Sequence, residues 1–142
     1  MQALGGYQVV ELAQGLAGPF CAQYLAEGGA NVIKVEPIHG DRTRGWGPPY
    51  VGRNSSVFTG INQGKKSIAL DLASQAGKKV LLRLLSQSDI LLEDLNPGDF
   101  EELVNDEHPG NSDLIRCSLR DFSQDGPLAL QPGTELVYLA MS

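Results

Sequence analysis

The feature that most constrains the fold is an alternation of short β-branched and aliphatic runs with helical stretches. YQVVEL (residues 7–12) is followed by the turn AQGLAG, the helical stretch PFCAQYLAEGG and a second run, ANVIKVE (residues 30–36). Pro19 fits the first helical position, and Gly28 and Gly29 end the helix before the β-branched run begins. Two strands joined through a helix form a right-handed βαβ unit. That unit makes the strands parallel and leaves the helix N-terminus at the carboxyl edge of the sheet, where anions bind.

The same rhythm returns downstream. PIHGDRTRGWGPPYVGRNSS is dense in Gly, Pro and Arg and reads as a long loop, functional or flexible. KSIALDL follows as a strand, SQAGKKVLLRLLSQ as an amphipathic helix opened by Ser74, and SDILLEDL as a strand with an apolar middle. NPGDFEELV starts a short helix and DLIRCSLRDF supplies a fifth strand. A terminal helix beginning at Pro132 carries Leu136, Val137, Leu139, Ala140 and Met141 at helical spacing. No Gly or Asn follows to cap it, so the sequence reads as stopping inside an element. These patterns predict one α/β domain over residues 1–142: a Rossmann-like, mostly parallel sheet with helices on both faces and ligands at its carboxyl edge.

The 17 acids outnumber the 11 lysines and arginines, giving a formal charge of -6, which argues against binding to a nucleic-acid backbone. The opening MQALGGYQVVELAQ has neither a basic leader nor a long apolar run, so the expectation is a cytoplasmic protein without a membrane span. Cys21 and Cys117 lack metal-ligand spacing and read as small buried thiols, and His39 and His108 read as surface loop residues, so no metal site is expected.

Gly15, Ala17 and Gly18 in the first βα turn let a ligand approach the backbone, although QGLAGP lacks the GxGxxG pattern and a plain tight turn fits equally. Glu36 reads either as a ribose-binding carboxylate or as a solvated strand end. Arg42, Arg44, Arg53, Lys65 and Lys66 form the one local basic cluster, fit for a phosphorylated ligand or simply for loop solvation. Trp46, the sole tryptophan, reads as a loop anchor packed on the core.

Six stretches in order, LAGPFCAQYLAEGGANVIKVEP, GDRTRGWGPP, NQGKKSIALDL, DILLEDLNPG, SQDGP and PGTELVYLAMS, together resemble the N-terminal portion of the family III CoA-transferases. This family includes formyl-CoA and carnitine-CoA transferases and acyl-CoA racemases. The resemblance implies a CoA or acyl-CoA ligand, no tightly bound cofactor, and a family of interlocked homodimers. It places CoA contacts at Leu16 and Ala17, at Leu70, Asp71, Leu72 and Ala73, and at Asp94, Leu95 and Asn96.

It also implies a mechanism in which an aspartate carboxylate attacks the acyl thioester, breaking its C–S bond to give a mixed anhydride and free CoA thiolate. The family places that aspartate beyond the block ending in LVYLAMS, so these residues are expected not to catalyse transfer alone. Two departures matter. The family commonly reads Asn-Phe-Arg where Asp94, Leu95 and Asn96 stand, and an aspartate there repels phosphate. The racemase His-Asp pair is replaced by Thr134 and Glu135, which disfavours racemase chemistry and leaves Glu135 the one catalytic candidate. The competing expectation is a stand-alone module that holds a nucleotide-like ligand or assembles without catalysis.

Overall fold

A computed structural model of the chain describes residues 2–104, 110–123, 125–131, 133, 137 and 139–140. Its elements run β1 (Gln8–Leu12), α1 (Ala17–Glu27), β2 (Asn31–Glu36), a 3-10 turn (Arg42–Gly45), β3 (Tyr50–Val51), β4 (Asn54–Ser55), α2 (Ser56–Ile61), β5 (Lys66–Ala69), α3 (Gln75–Leu85), β6 (Ile90–Glu93), α4 (Asp99–Val104) and β7 (Ile115–Ser118). Five strands form one sheet in the order β5-β2-β1-β6-β7, and every neighbouring pair is parallel. The chain winds outward from β1 through β2 to β5. It then returns through α3 to β6 on the other side of β1, which puts the topological switch point between β1 and β6.

Period-two alternation sorts the strand side chains between two helical layers. Val10, Leu12, Val35 and Leu91 meet Leu81 and Leu85 of α3 and Phe100 and Val104 of α4. Val9, Val32 and Leu92 point the other way, onto Ala22 of α1. Leu81, Leu85 and Leu91 are at most 1 % exposed, and burying a leucine of this kind stabilises the fold by about 1.5–3 kcal/mol.

Local chemistry explains where the helices begin. Ser74 Oγ accepts the Gly77 amide at 3.1 Å and caps α3. Helix α1 starts without a side-chain cap at Leu16, two residues ahead of the expected start, so Pro19 is its third residue and not its first. That shift costs no hydrogen bond, because the first four helical amides lack intrahelical partners in any case. Gly18 lets the helix lie close to β1, since a Cβ there would come within 2.3 Å of Ala13 Cβ. Gly29, at φ +101, supplies the left-handed exit expected of the Gly28-Gly29 pair.

The segment read as an open loop is more structured than expected. It contains the 3-10 turn, and its end is a hairpin pairing Tyr50 with Ser55, followed directly by α2. Asp41 caps the turn by accepting the Thr43 amide at 2.8 Å, and Ser55 Oγ caps α2 by accepting the Phe58 amide at 3.0 Å. Most of the expected terminal helix, including Pro132, Leu136 and Met141, lies outside the described residues. No described helix is long and apolar enough to cross a membrane.

Candidate active site

The carboxyl ends of the strands open onto a cleft of about 890 Å³ at the switch point. Its floor is the β1–α1 turn, through Gln14, Leu16, Ala17 and Gly18. One wall is Arg42 and Trp46 from the turn after β2. Asp94, Leu95, Asn96 and Asp99 after β6 form a second wall, and Leu119, Arg120 and Asp121 after β7 extend it. Five of the nine expected contact residues, Leu16, Ala17, Asp94, Leu95 and Asn96, are thereby brought together. Leu70, Asp71, Leu72 and Ala73 do not line the cleft. They follow β5, two strands from β1, where Leu70 and Leu72 pack on the core and Asp71 accepts the Ala73 amide at 3.1 Å. Glu135, Thr134 and His108 lie outside the described residues.

The turn that forms the floor is held from below by buried charge. Glu11 is 0 % exposed and bridges two lysines: Lys34 Nζ lies 2.7 Å from Oε1 and Lys65 Nζ lies 2.8 Å from Oε2. Both lysines also reach the backbone of the turn. Lys34 donates to the Ala13 carbonyl at 2.8 Å and Lys65 to the Pro19 carbonyl at 2.7 Å, so the two ends of the ligand-facing turn are fixed. Asp41 completes the group at 2.8 Å from Lys34. Burial lowers the Lys65 pKa, opposed by the Glu11 carboxylate beside it. From above, the Gln14 amide donates to Asp94 Oδ2 at 2.9 Å. Asp94 is exposed as a residue, yet desolvation by the groups packed around its carboxylate raises its pKa against the pull of the Gln14 amide, Arg42 and Lys34.

A second buried carboxylate organises the β6–β7 wall. Glu93, 0 % exposed, lies 3.0 Å from Arg116 and 3.1 Å from Arg120, and it accepts the Ser118 hydroxyl and the Leu95 amide. Arg120 therefore reaches the cleft with its charge largely compensated, although its buried Nε has no hydrogen-bond partner among the described residues.

Several residues behave differently from their sequence reading. Glu36 is neither a ribose ligand nor a solvated strand end: it is 3 % exposed and clasped by Arg44 at 2.7 Å through both oxygens, by Ser67 and by the Asp41 amide. Burial works to raise its pKa, but these hydrogen bonds and the guanidinium charge prevail and lower it to about 2. The basic cluster disperses. Arg44 is committed to Glu36 and Lys65 to Glu11, Arg53 and Lys66 are exposed elsewhere, and only Arg42 lines the cleft. Trp46 is 45 % exposed on the cleft wall and is not packed into the core. Cys117 is exposed because β7 is an edge strand, and Cys21 is half-buried, so neither thiol is the buried residue expected. His39 is exposed, as expected. No group of three or more metal-ligating side chains occurs among the described residues.

Sequence reasoning missed Gln14, Asp99, Arg120 and Asp121. The signal was available for Arg120 and Asp121, which directly follow the fifth strand, because ligand contacts gather just past strand carboxyl ends.

Comparison with known proteins gives this geometry a lineage. The CoA-transferase family III description matches residues 4–142. The chain is 40 % identical to a succinate–glutarate CoA-transferase of Agrobacterium fabrum over 98 % of its own length and 37 % of the relative's. It is 39 % identical to an acetyl-CoA:oxalate CoA-transferase of Acetobacter aceti over 96 % of its length and 36 % of the relative's. A solved structure of a CAIB/BAIF family protein from Brucella suis superposes with a TM-score of 0.89 at 37 % identity, over 97 % of this chain and 38 % of that one. The chain thus spans little more than a third of the length of these relatives. With the family match running from residue 4 to residue 142 and identity sustained across nearly all of that span, the chain belongs to CoA-transferase family III, matching its N-terminal portion.

Proposed function

We propose that the cleft holds CoA or acyl-CoA and that these residues are the CoA-binding part of an enzyme moving CoA between carboxylic acids. The observation that carries this reading is the cleft itself. Its volume falls in the range of ligand pockets, roughly 300–1,000 Å³, and it lies at the switch point of a parallel sheet, beside an exposed arginine and the sole tryptophan. Relatives named for succinate–glutarate and acetyl-CoA:oxalate transfer support carboxylic acids as the CoA acceptors.

Trp46 provides the test. Titration with free CoA should change its fluorescence saturably, and Arg42→Ala should weaken binding about tenfold, the scale of a lost charge-assisted phosphate contact. No spectral change and no calorimetric heat at millimolar CoA would remove the reading.

Acyl transfer through an aspartyl anhydride needs a positioned nucleophile, and the family's lies outside the blocks matched here. These 142 residues alone are therefore expected to give no thioester exchange between acyl-CoAs and carboxylic acids. Mass spectrometry of such mixtures checks this, and exchange abolished by Glu135→Gln would instead assign the nucleophile to Glu135. The same proposal includes self-association into a homodimer in the cytoplasm, away from nucleic acid and membranes, in keeping with the net acidic charge.

A further inference from the structure

We propose that Asp94 is a specificity-determining residue of the cleft: its carboxylate occupies the Gln14 amide and excludes phosphate from that end of the β1–α1 turn, sending a ligand's phosphates to the Arg42 side of the cleft. This rests on reading the cleft as the CoA site and adds an orientation to it.

The turn precedes an 11-residue helix, whose N-terminus ordinarily draws an anion to the amides in front of it. Here the protein supplies that anion itself, since the Gln14 amide already donates to Asp94 Oδ2 at 2.9 Å. Asp99 stands on the same wall and accepts the Asn96 side-chain amide at 3.1 Å. A phosphate arriving at this turn would have to displace a charge-assisted hydrogen bond while approaching a like charge.

At the neighbouring Gly15 the situation is reversed. The Arg42 guanidinium lies over Gly15, at φ +77, where a Cβ would come within 2.6 Å of one of its nitrogens. Arg42 is exposed and forms no salt bridge among the described residues. Arg120, the other cation of the cleft, is tied to Glu93 at 3.1 Å. The cleft is thus polarised, with a free guanidinium on the β2 side and carboxylates on the β6 side. An ionised carboxylate accepts hydrogen bonds and donates none, so the part of the ligand beside Asp94 must bring N–H or O–H groups. In CoA these are the pantetheine amides, the ribose hydroxyl and the adenine amine.

The test compares inorganic pyrophosphate, pantetheine and CoA as ligands of the 142-residue protein and of Asp94→Asn, Asp94→Ala and Arg42→Ala. Binding is read by Trp46 fluorescence and calorimetry at one ionic strength. Asp94→Asn removes the charge but keeps an oxygen for the Gln14 amide, whereas Asp94→Ala removes both. Both Asp94 variants should bind pyrophosphate about three- to tenfold more tightly than the parent, the scale of one nearby like charge removed. Both should bind pantetheine more weakly, and Arg42→Ala should lose pyrophosphate. Pyrophosphate affinity that is unchanged or reduced in both Asp94 variants overturns the assignment. A gain in Asp94→Ala alone also overturns it, by making Asp94 a tie for the turn and not a charge filter. CoA binding to every protein with no dependence on Asp94 removes this inference and leaves the site reading intact. Absence of binding by any ligand removes both.

Discussion

At Glu36 the sign of a pH dependence follows from its partners. With its pKa lowered from 4.5 to about 2, the ionised form is favoured by folding. Its contribution is complete above about pH 4.5 and disappears as pH falls toward 2, because the unfolded chain takes up the proton first. At roughly 1.4 kcal/mol per unit, the two and a half units amount to about 3 kcal/mol. Urea unfolding between pH 7 and pH 2.5 should show this loss, and Glu36→Gln should be less stable at pH 7 with a flatter acid limb. An unchanged acid limb would place the proton uptake on other carboxylates. The residue also shows where sequence reading stopped. A glutamate closing a strand was visible, but Arg44, Ser67 and the Asp41 amide meet it only after a turn and an adjacent strand have formed. The fates of Arg44 and Lys65 were hidden for the same reason, since a basic cluster in sequence does not reveal which carboxylate each cation faces.

Among the elements, α3 carries a prediction that opposes helix propensity. Replacing an interior helical glycine by alanine ordinarily stabilises a protein by up to about 1 kcal/mol. At Gly77 a Cβ would fall 2.0 Å from the Asp71 carbonyl oxygen, a backbone atom in the turn leading to the helix. Gly77→Ala should therefore lower stability by about 1–3 kcal/mol, read as a lower urea midpoint with the slope unchanged. A raised midpoint would show that the turn yields. The strands and longer helices were legible because their apolar periods are strong and Gly, Pro or Ser marks their ends, as Ser74 does for α3. The hairpin Tyr50–Val51 with Asn54–Ser55 and helix α2 were not. Their two- and six-residue lengths carry too little periodicity, and they are held by contacts such as Ser55 Oγ donating to the Thr43 carbonyl at 2.5 Å. The exposure of Cys117 was equally illegible, because strand order, not strand sequence, makes β7 an edge.

Over the whole molecule, the surface retains an apolar stripe on α1. Leu16, Phe20 and Tyr24 recur every four residues and are 52, 49 and 61 % exposed, with the Phe20 and Tyr24 rings edge to face at 4.9 Å. Apolar surface of this kind promotes association, so light scattering should give a mass above that of one chain as concentration rises, and Phe20→Ser with Tyr24→Ser should restore the single-chain mass. A constant single-chain mass for the parent would count against the homodimer. The strand order has a consequence in time as well as in space. β1 emerges first during synthesis, yet it is central, and its partner on one flank arrives only with β6, as the Gln8 amide's bond to Asp89, 81 residues away, illustrates. Until then the nascent β1–α1–β2 unit exposes an open strand edge with half of its cleft. The ligand turn can be shaped early, but the Asp94 wall that gives the cleft its polarity follows only with β6, so a chain grown no further than the turn after β2 has one wall of the cleft without the other.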